Sequence, residues 1–100
     1  MNITITARKF KAHDSLKSFI KDEVSTLEKF NYDILSADVI LSYQNVNNSI
    51  KITEILLQVP GQTFSATAST DDFKKSISGA VEKLERQLKK LKTKRTVRAK

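Results

Sequence analysis

The chain has 100 residues, 39% of them hydrophobic, with 2 Gly, 1 Pro and no cysteine. That length suits one domain with a core burying roughly 60 to 70% of the unfolded surface. The missing thiols exclude disulfides, thiolate metal sites and cysteine nucleophiles, and fit the cytoplasm as a reducing compartment. Eighteen Lys and Arg against 11 Asp and Glu give a net charge of +7, unevenly spread. Residues 74–100 hold eleven basic and two acidic side chains, net +9, while the first 73 residues are net −2. Such segregation points to a polyanion-binding face. The competing reading is a solvated helix face with a frayed tail.

In chain order, Ile3, Ile5 and Ala7 alternate with Asn2, Thr4 and Thr6, the period of a half-buried strand. The same alternation at the start is unlike the continuous apolar stretch of a signal peptide. With no apolar run above three residues, neither an export signal nor a transmembrane helix is expected. Leu16, Phe19, Ile20, Val24 and Leu27 recur at helical spacing, predicting a helix over about residues 15–30, with Asp14 placed to cap it or oppose its dipole. Asn31 and Asp33 end it. Ala37, Val39, Leu41 and Tyr43 resume a period of two, and a polar turn over residues 44–49 leads to a third strand in which Thr53, Ile55, Leu57 and Val59 share a face. Ile50 and Ile52 fall on the opposite phase, which predicts a bulge or irregular entry near Thr53. Pro60-Gly61 then marks a tight hairpin into Phe64, Ala66 and Ala68. Phe73, Ile77, Ala80, Val81, Leu84, Leu88 and Leu91 form one face of a long helix that Thr70, Asp71 and Asp72 open. Over residues 71–92 it would be about 33 Å long. Residues 93–100 read as a basic, disordered tail after a domain of residues 1–92. The expected fold is α+β: a two-layer βαβββα sandwich, its four-stranded mixed sheet parallel between strands one and two and antiparallel thereafter, with both helices on one face.

Catalytic chemistry has little to rest on. His13 is the only histidine, at a helix start, with no second imidazole to share a metal. Asp22-Glu23 and Asp71-Asp72 are sequence neighbours, about 100° apart on a helix, and do not converge on one atom. Gly61 and Gly79 stand alone, outside any phosphate-cradling motif. No enzyme activity, metal, cofactor or small-molecule substrate is expected.

The second helix is more informative. Turning 100° per residue from Phe73 places Lys75, Lys83, Arg86, Lys89 and Lys90 away from the apolar stripe. Glu82 and Glu85 stand four residues before Arg86 and Lys89, where i,i+4 pairs would order them. Ordered, spaced cations suit a phosphate backbone, which carries no sequence information. A membrane-surface helix would also be basic, but this apolar stripe is needed to cover the sheet.

Val59-Pro60-Gly61, Thr63-Phe64-Ser65-Ala66-Thr67-Ala68, Asp71-Asp72-Phe73, Ile77 and the run Lys83-Leu84-Glu85-Arg86-Gln87-Leu88-Lys89-Lys90 together resemble the bacterial ribosome hibernation-promoting factors, also called ribosome-associated inhibitors. Ile5-Thr6-Ala7-Arg8 and Leu27-Glu28-Lys29-Phe30 fit the same pattern. The resemblance implies a βαβββα domain that binds the 30S ribosomal subunit and its 16S rRNA in the decoding region, overlapping mRNA and the anticodon ends of tRNA. It implies rRNA contacts at Lys83, Arg86, Lys89 and Lys90, and on the same logic at Lys29 and Arg8. It further implies a short form, without the C-terminal dimerisation domain of long members, and monomeric off the ribosome. Where the family often has Met-Tyr-Ala-Ala-Ile-Asp, this chain has Phe73-Lys74-Lys75-Ser76-Ile77-Ser78, without the aromatic at 74 and the acid at 78. The alternatives to a ribosome-binding translation inhibitor are a general structured-RNA-binding or ribosome-assembly protein, and a protein-interaction module.

Overall fold

The computed structural model describes residues 1–30, 33–44 and 50–98, with side chains given for residues 1–29, 33–44 and 50–90. Within these residues the order is β1 (Asn2–Ala7), α1 (Asp14–Ser25), a 3₁₀ turn (Thr26–Phe30), β2 (Ser36–Gln44), β3 (Ile50–Val59), β4 (Gln62–Thr70) and α2 (Phe73–Arg98). The sheet order is β1-β2-β3-β4. β1 runs parallel to β2, and the other two pairings are antiparallel. This is the expected α+β sandwich, and its topology follows from the helix that returns the chain from β1 to β2.

Period two along each strand turns one set of side chains toward the helices. Val39 and Leu41 of β2 and Ile55 and Leu57 of β3 are fully buried there, against Ile20 and Val24 of α1, Leu27 of the 3₁₀ turn, and Ile77, Leu84 and Leu88 of α2. Burial of each such side chain contributes about 1.5 to 3 kcal/mol. At the hairpin, Val59 pairs with Gln62 and Gly61 takes a φ of 88°, the positive value that glycine adopts without steric cost. Farther along, α2 passes close over β4: a Cβ built on Gly79 would lie 3.3 Å from the Ala68 Cβ.

Several local expectations change, and of the two roles open to Asp14 one is met. The first helix ends at Ser25 and tightens into the 3₁₀ turn, where the Glu23 and Val24 carbonyls accept backbone N–H groups at the C-cap and the Thr26 hydroxyl also donates to the Glu23 carbonyl at 2.6 Å. Asp14 is the first helical residue, so it opposes the dipole without capping; His13 holds the N-cap position and makes no side-chain cap bond. β3 carries no bulge near Thr53, because its pairing with β2 runs unbroken from Gln44↔Ile50 to Ser36↔Gln58. Ile50 and Ile52 simply lie half-buried on the outer sheet face. Finally, α2 continues to Arg98, six residues beyond the expected end at Lys92. After Gly79 it meets neither Gly nor Pro, and Lys, Arg, Leu and Gln favour helix. Gln44, expected in the turn of residues 44–49, is the last residue of β2, and the rest of that turn, Asn31 and the side chains from Leu91 onward lie outside the described residues.

Candidate nucleic-acid interface

The start of α2 sets the azimuth of every cation on it. Asp72 caps the helix through its carboxylate, which accepts from the Lys74 N–H at 3.2 Å, while its carbonyl accepts from the Ser76 N–H. One turn in, Ser76 and Thr53 share a hydrogen bond of 2.6 Å, both fully buried, and the Ser76 hydroxyl also lies 3.1 Å from the Phe73 carbonyl. This polar pair sits in an otherwise apolar layer, so it fixes where α2 lies on β3.

With that register, Lys75, Lys83, Arg86, Lys89 and Lys90 are all exposed. They are not equivalent. Arg86 pairs with Glu82 at 2.8 Å and Lys75 with Asp71 at 3.4 Å, both i,i+4 pairs on well-exposed side chains. Exposed pairs of this kind are worth about 0 to 1 kcal/mol, so a phosphate can take over the cation at little cost. Lys83 lies on the flank facing β4 and donates to the Thr67 carbonyl, and Gln87, one turn later, donates to the Ser65 carbonyl at 2.9 Å. β4 is an edge strand, so these two side chains cover carbonyls that would otherwise invite another strand. On the other flank Glu85 stands 4.0 Å from Lys29 of the 3₁₀ turn, bringing that lysine beside α2. Arg8 is exposed just past β1, where its N–H bonds the Leu41 carbonyl, at the opposite end of the helix layer from Arg86.

Two residues noted as departures from the family pattern join the helices. The Lys74 ammonium lies 5.7 Å from the centroid of the Phe19 ring on α1, and the Ser78 hydroxyl donates to Glu23 at 2.8 Å. Helical periodicity cannot show such contacts, because it places side chains around one axis without locating the neighbouring element. It also passes over Lys9, Lys11 and Gln87; the signal for the first two is the run Arg8-Lys9-Phe10-Lys11, cations interleaved with an aromatic between a strand and a helix.

The opposite side of the molecule differs in charge. The outward positions of the four strands carry Asp38 and Glu54 and no lysine or arginine, in a chain with 18 basic residues. Among the described residues the positive charge therefore lies on the helix layer and its ends. Among the described residues no group of three or more His, Asp or Glu side chains could hold a metal ion, and no helix is long and apolar enough to cross a membrane.

Residues 3–96 match the family described as sigma 54 modulation protein / S30EA ribosomal protein. The chain is 30% identical over 98 residues to the ribosome hibernation promoting factor of Azotobacter vinelandii, covering 98% of this chain and 89% of that one. It is 29% identical over 91 residues to the ribosome hibernation promotion factor of Deinococcus radiodurans, where 89% of this chain aligns with 48% of the longer relative. A ribosomal subunit interface protein from Coxiella burnetii has a similar structure, with a TM-score of 0.82, 26% identity, and coverage of 93% of this chain and 99% of that one.

Proposed function

Because the chain belongs to the sigma 54 modulation protein / S30EA ribosomal protein family, we propose that it is a ribosome-binding translation inhibitor that occupies the decoding region of the small subunit and silences or preserves idle ribosomes. The observation that carries the reading is the exposed cationic face of α2, with Arg86, Lys89 and Lys90 at its centre, on a fold shared with a subunit interface protein. Names of the relatives supply hibernation; the geometry supplies the means. Cations held by short, exposed pairs exchange a carboxylate for a phosphate oxygen without refolding, and they position the protein without reading bases. Domain residues 1–92 form the binding unit and the basic segment 93–100 adds sequence-independent affinity.

Inhibition then follows from occupancy of 16S rRNA in the 30S subunit by a cytoplasmic, non-enzymatic protein that is monomeric off the ribosome. It should be stoichiometric with ribosomes and should not grow with incubation time. Co-sedimentation with 30S subunits, competed by mRNA and initiator tRNA, is the test. Binding that both ligands displace supports the reading; binding indifferent to them would leave a general structured-RNA-binding or assembly protein, and absence of binding would refute both.

A further inference from the structure

On α2 the described cations Lys75, Lys83 and Arg86 have partners within the protein, whereas the short connection from β1 to α1 shows the reverse. Arg8, Lys9 and Lys11 fall within four residues and are all exposed. None of the three makes an ion pair among the described residues. No acidic residue precedes Asp14 in the chain.

This connection is also held in place. Lys9 has a φ of 65°, the one non-glycine residue in the left-handed region among those described, a conformation that an L residue keeps only where its surroundings enforce it. The enforcement is visible. The Tyr43 hydroxyl at the end of β2 donates to the Lys9 carbonyl at 3.0 Å. Next to it, the Phe10 ring stacks on Phe73 of α2 at 5.2 Å between centroids and packs against Tyr43 at 5.5 Å. An aromatic residue thus plugs the end of the sandwich, and the cations on either side of it are turned out to solvent. Beside Lys11 a surface cavity of about 320 Å³, lined by Lys11, Ala12, His13 and Asp14, leaves room for a ligand. Asp14 is the carboxylate that lines that cavity.

We propose that Arg8, Lys9 and Lys11 form a second RNA-phosphate contact, with Tyr43 as the residue that positions it. It rests on the ribosome-binding reading but is a separate anchor: from Phe73, against which Phe10 stacks, to Lys90 is about 25 Å along the helix axis, so the two anchors engage different phosphates. A rigid backbone matters here because the segment that carries the cations need not be ordered on binding. Tyr43 and Phe10 provide that rigidity from within the fold. An anionic lipid surface is the alternative partner, and it is less favoured because the apolar side chain of this connection, Phe10, is committed to the interior stack.

Three variants test the proposal: Lys9→Gln with Lys11→Gln, Tyr43→Phe, and Arg86→Glu with Lys90→Glu as the α2 control. Each is measured for affinity and salt dependence on 30S subunits and on a structured RNA hairpin, with circular dichroism melts and vesicles of phosphatidylglycerol in parallel. The Lys9/Lys11 variant should keep its melting temperature, bind RNA about tenfold more weakly, and show a salt slope shallower by about 1.4 to 1.8, the value for two lost contacts. Tyr43→Phe keeps the ring and removes the hydroxyl; it should weaken binding about threefold while leaving the slope unchanged, which a purely structural role would not separate. If the Lys9/Lys11 variant binds with wild-type affinity and slope while the α2 control is weakened, the second contact is refuted and the ribosome reading stands. If wild-type protein binds the hairpin but not 30S subunits, the ribosome reading fails and the hairpin data judge the second contact alone. Loss of vesicle binding with unchanged RNA binding, or no binding to either RNA, would overturn the proposal.

Discussion

The buried Thr53–Ser76 hydrogen bond makes an asymmetric prediction about stability. Both hydroxyls are fully buried, and among the described residues Thr53 has only Ser76 as partner, whereas Ser76 can also bond the Phe73 carbonyl. Ser76→Ala therefore strands the Thr53 hydroxyl in an apolar layer and should cost about 1 to 3 kcal/mol, the desolvation penalty of an unsatisfied buried group. Thr53→Val is nearly isosteric and leaves Ser76 bonded to Phe73, so it should cost about 1 kcal/mol or less. The double variant has no stranded hydroxyl. It should be more stable than Ser76→Ala alone, with a coupling energy of about 1 to 2 kcal/mol. Urea unfolding followed by circular dichroism measures all four corners of the cycle, and each kcal/mol should appear as about 4 to 8 °C in a parallel thermal melt. Equal costs for the two single variants, or additivity within about 0.3 kcal/mol, would refute the claim that this pair fixes α2 on β3.

Leu84→Ala should lower stability by about 2 to 5 kcal/mol in the same unfolding assay, since Leu84 is fully buried between α2 and the sheet. Arg86→Glu with Lys90→Glu should leave the melt unchanged and weaken 30S binding by on the order of 2 kcal/mol or more, measured by filter binding. Lys83→Ala with Gln87→Ala should change stability by less than about 1 kcal/mol, because both side chains are at the surface, yet uncover the β4 edge; analytical ultracentrifugation should then show concentration-dependent self-association that the wild-type protein lacks. For the wild-type protein, about five phosphate contacts would give a slope of log affinity on log salt of roughly −3.5 to −4.5, read from 30S binding across a salt series.

The sheet and its inward face were legible because side chains such as Val39, Leu41, Ile55 and Leu57 alternate with polar neighbours, and two turn residues, Pro60 and Gly61, punctuate the hairpin. Local sequence also showed which residues of α2 point out. It did not show what stands beside them. Lys83 and Gln87 reach carbonyls on β4 that are 16 and 22 residues away in sequence, and Lys29 meets Glu85 across the fold. Each contact depends on the closeness of α2 to a particular neighbour, which periodicity does not encode. Tyr43 is a similar case: its alternation marks it as a strand residue, while its hydroxyl acts on Lys9, 34 residues earlier. The missing bulge has a simpler cause. Ile50 and Ile52 break the expected polarity of the outer face without breaking its register, since open sheet faces tolerate scattered apolar side chains.

A ribosome-binding inhibitor of this kind is defined by where on the small subunit it sits. Chemical probing of 16S rRNA in 30S subunits saturated with the wild-type protein addresses it directly, with the Arg86→Glu, Lys90→Glu variant as control. New protections should cluster in the decoding region, be absent with the variant at the same concentration and be reduced when mRNA and initiator tRNA are bound first. Protections confined to another part of the subunit, or unaffected by mRNA and tRNA, would contradict this placement.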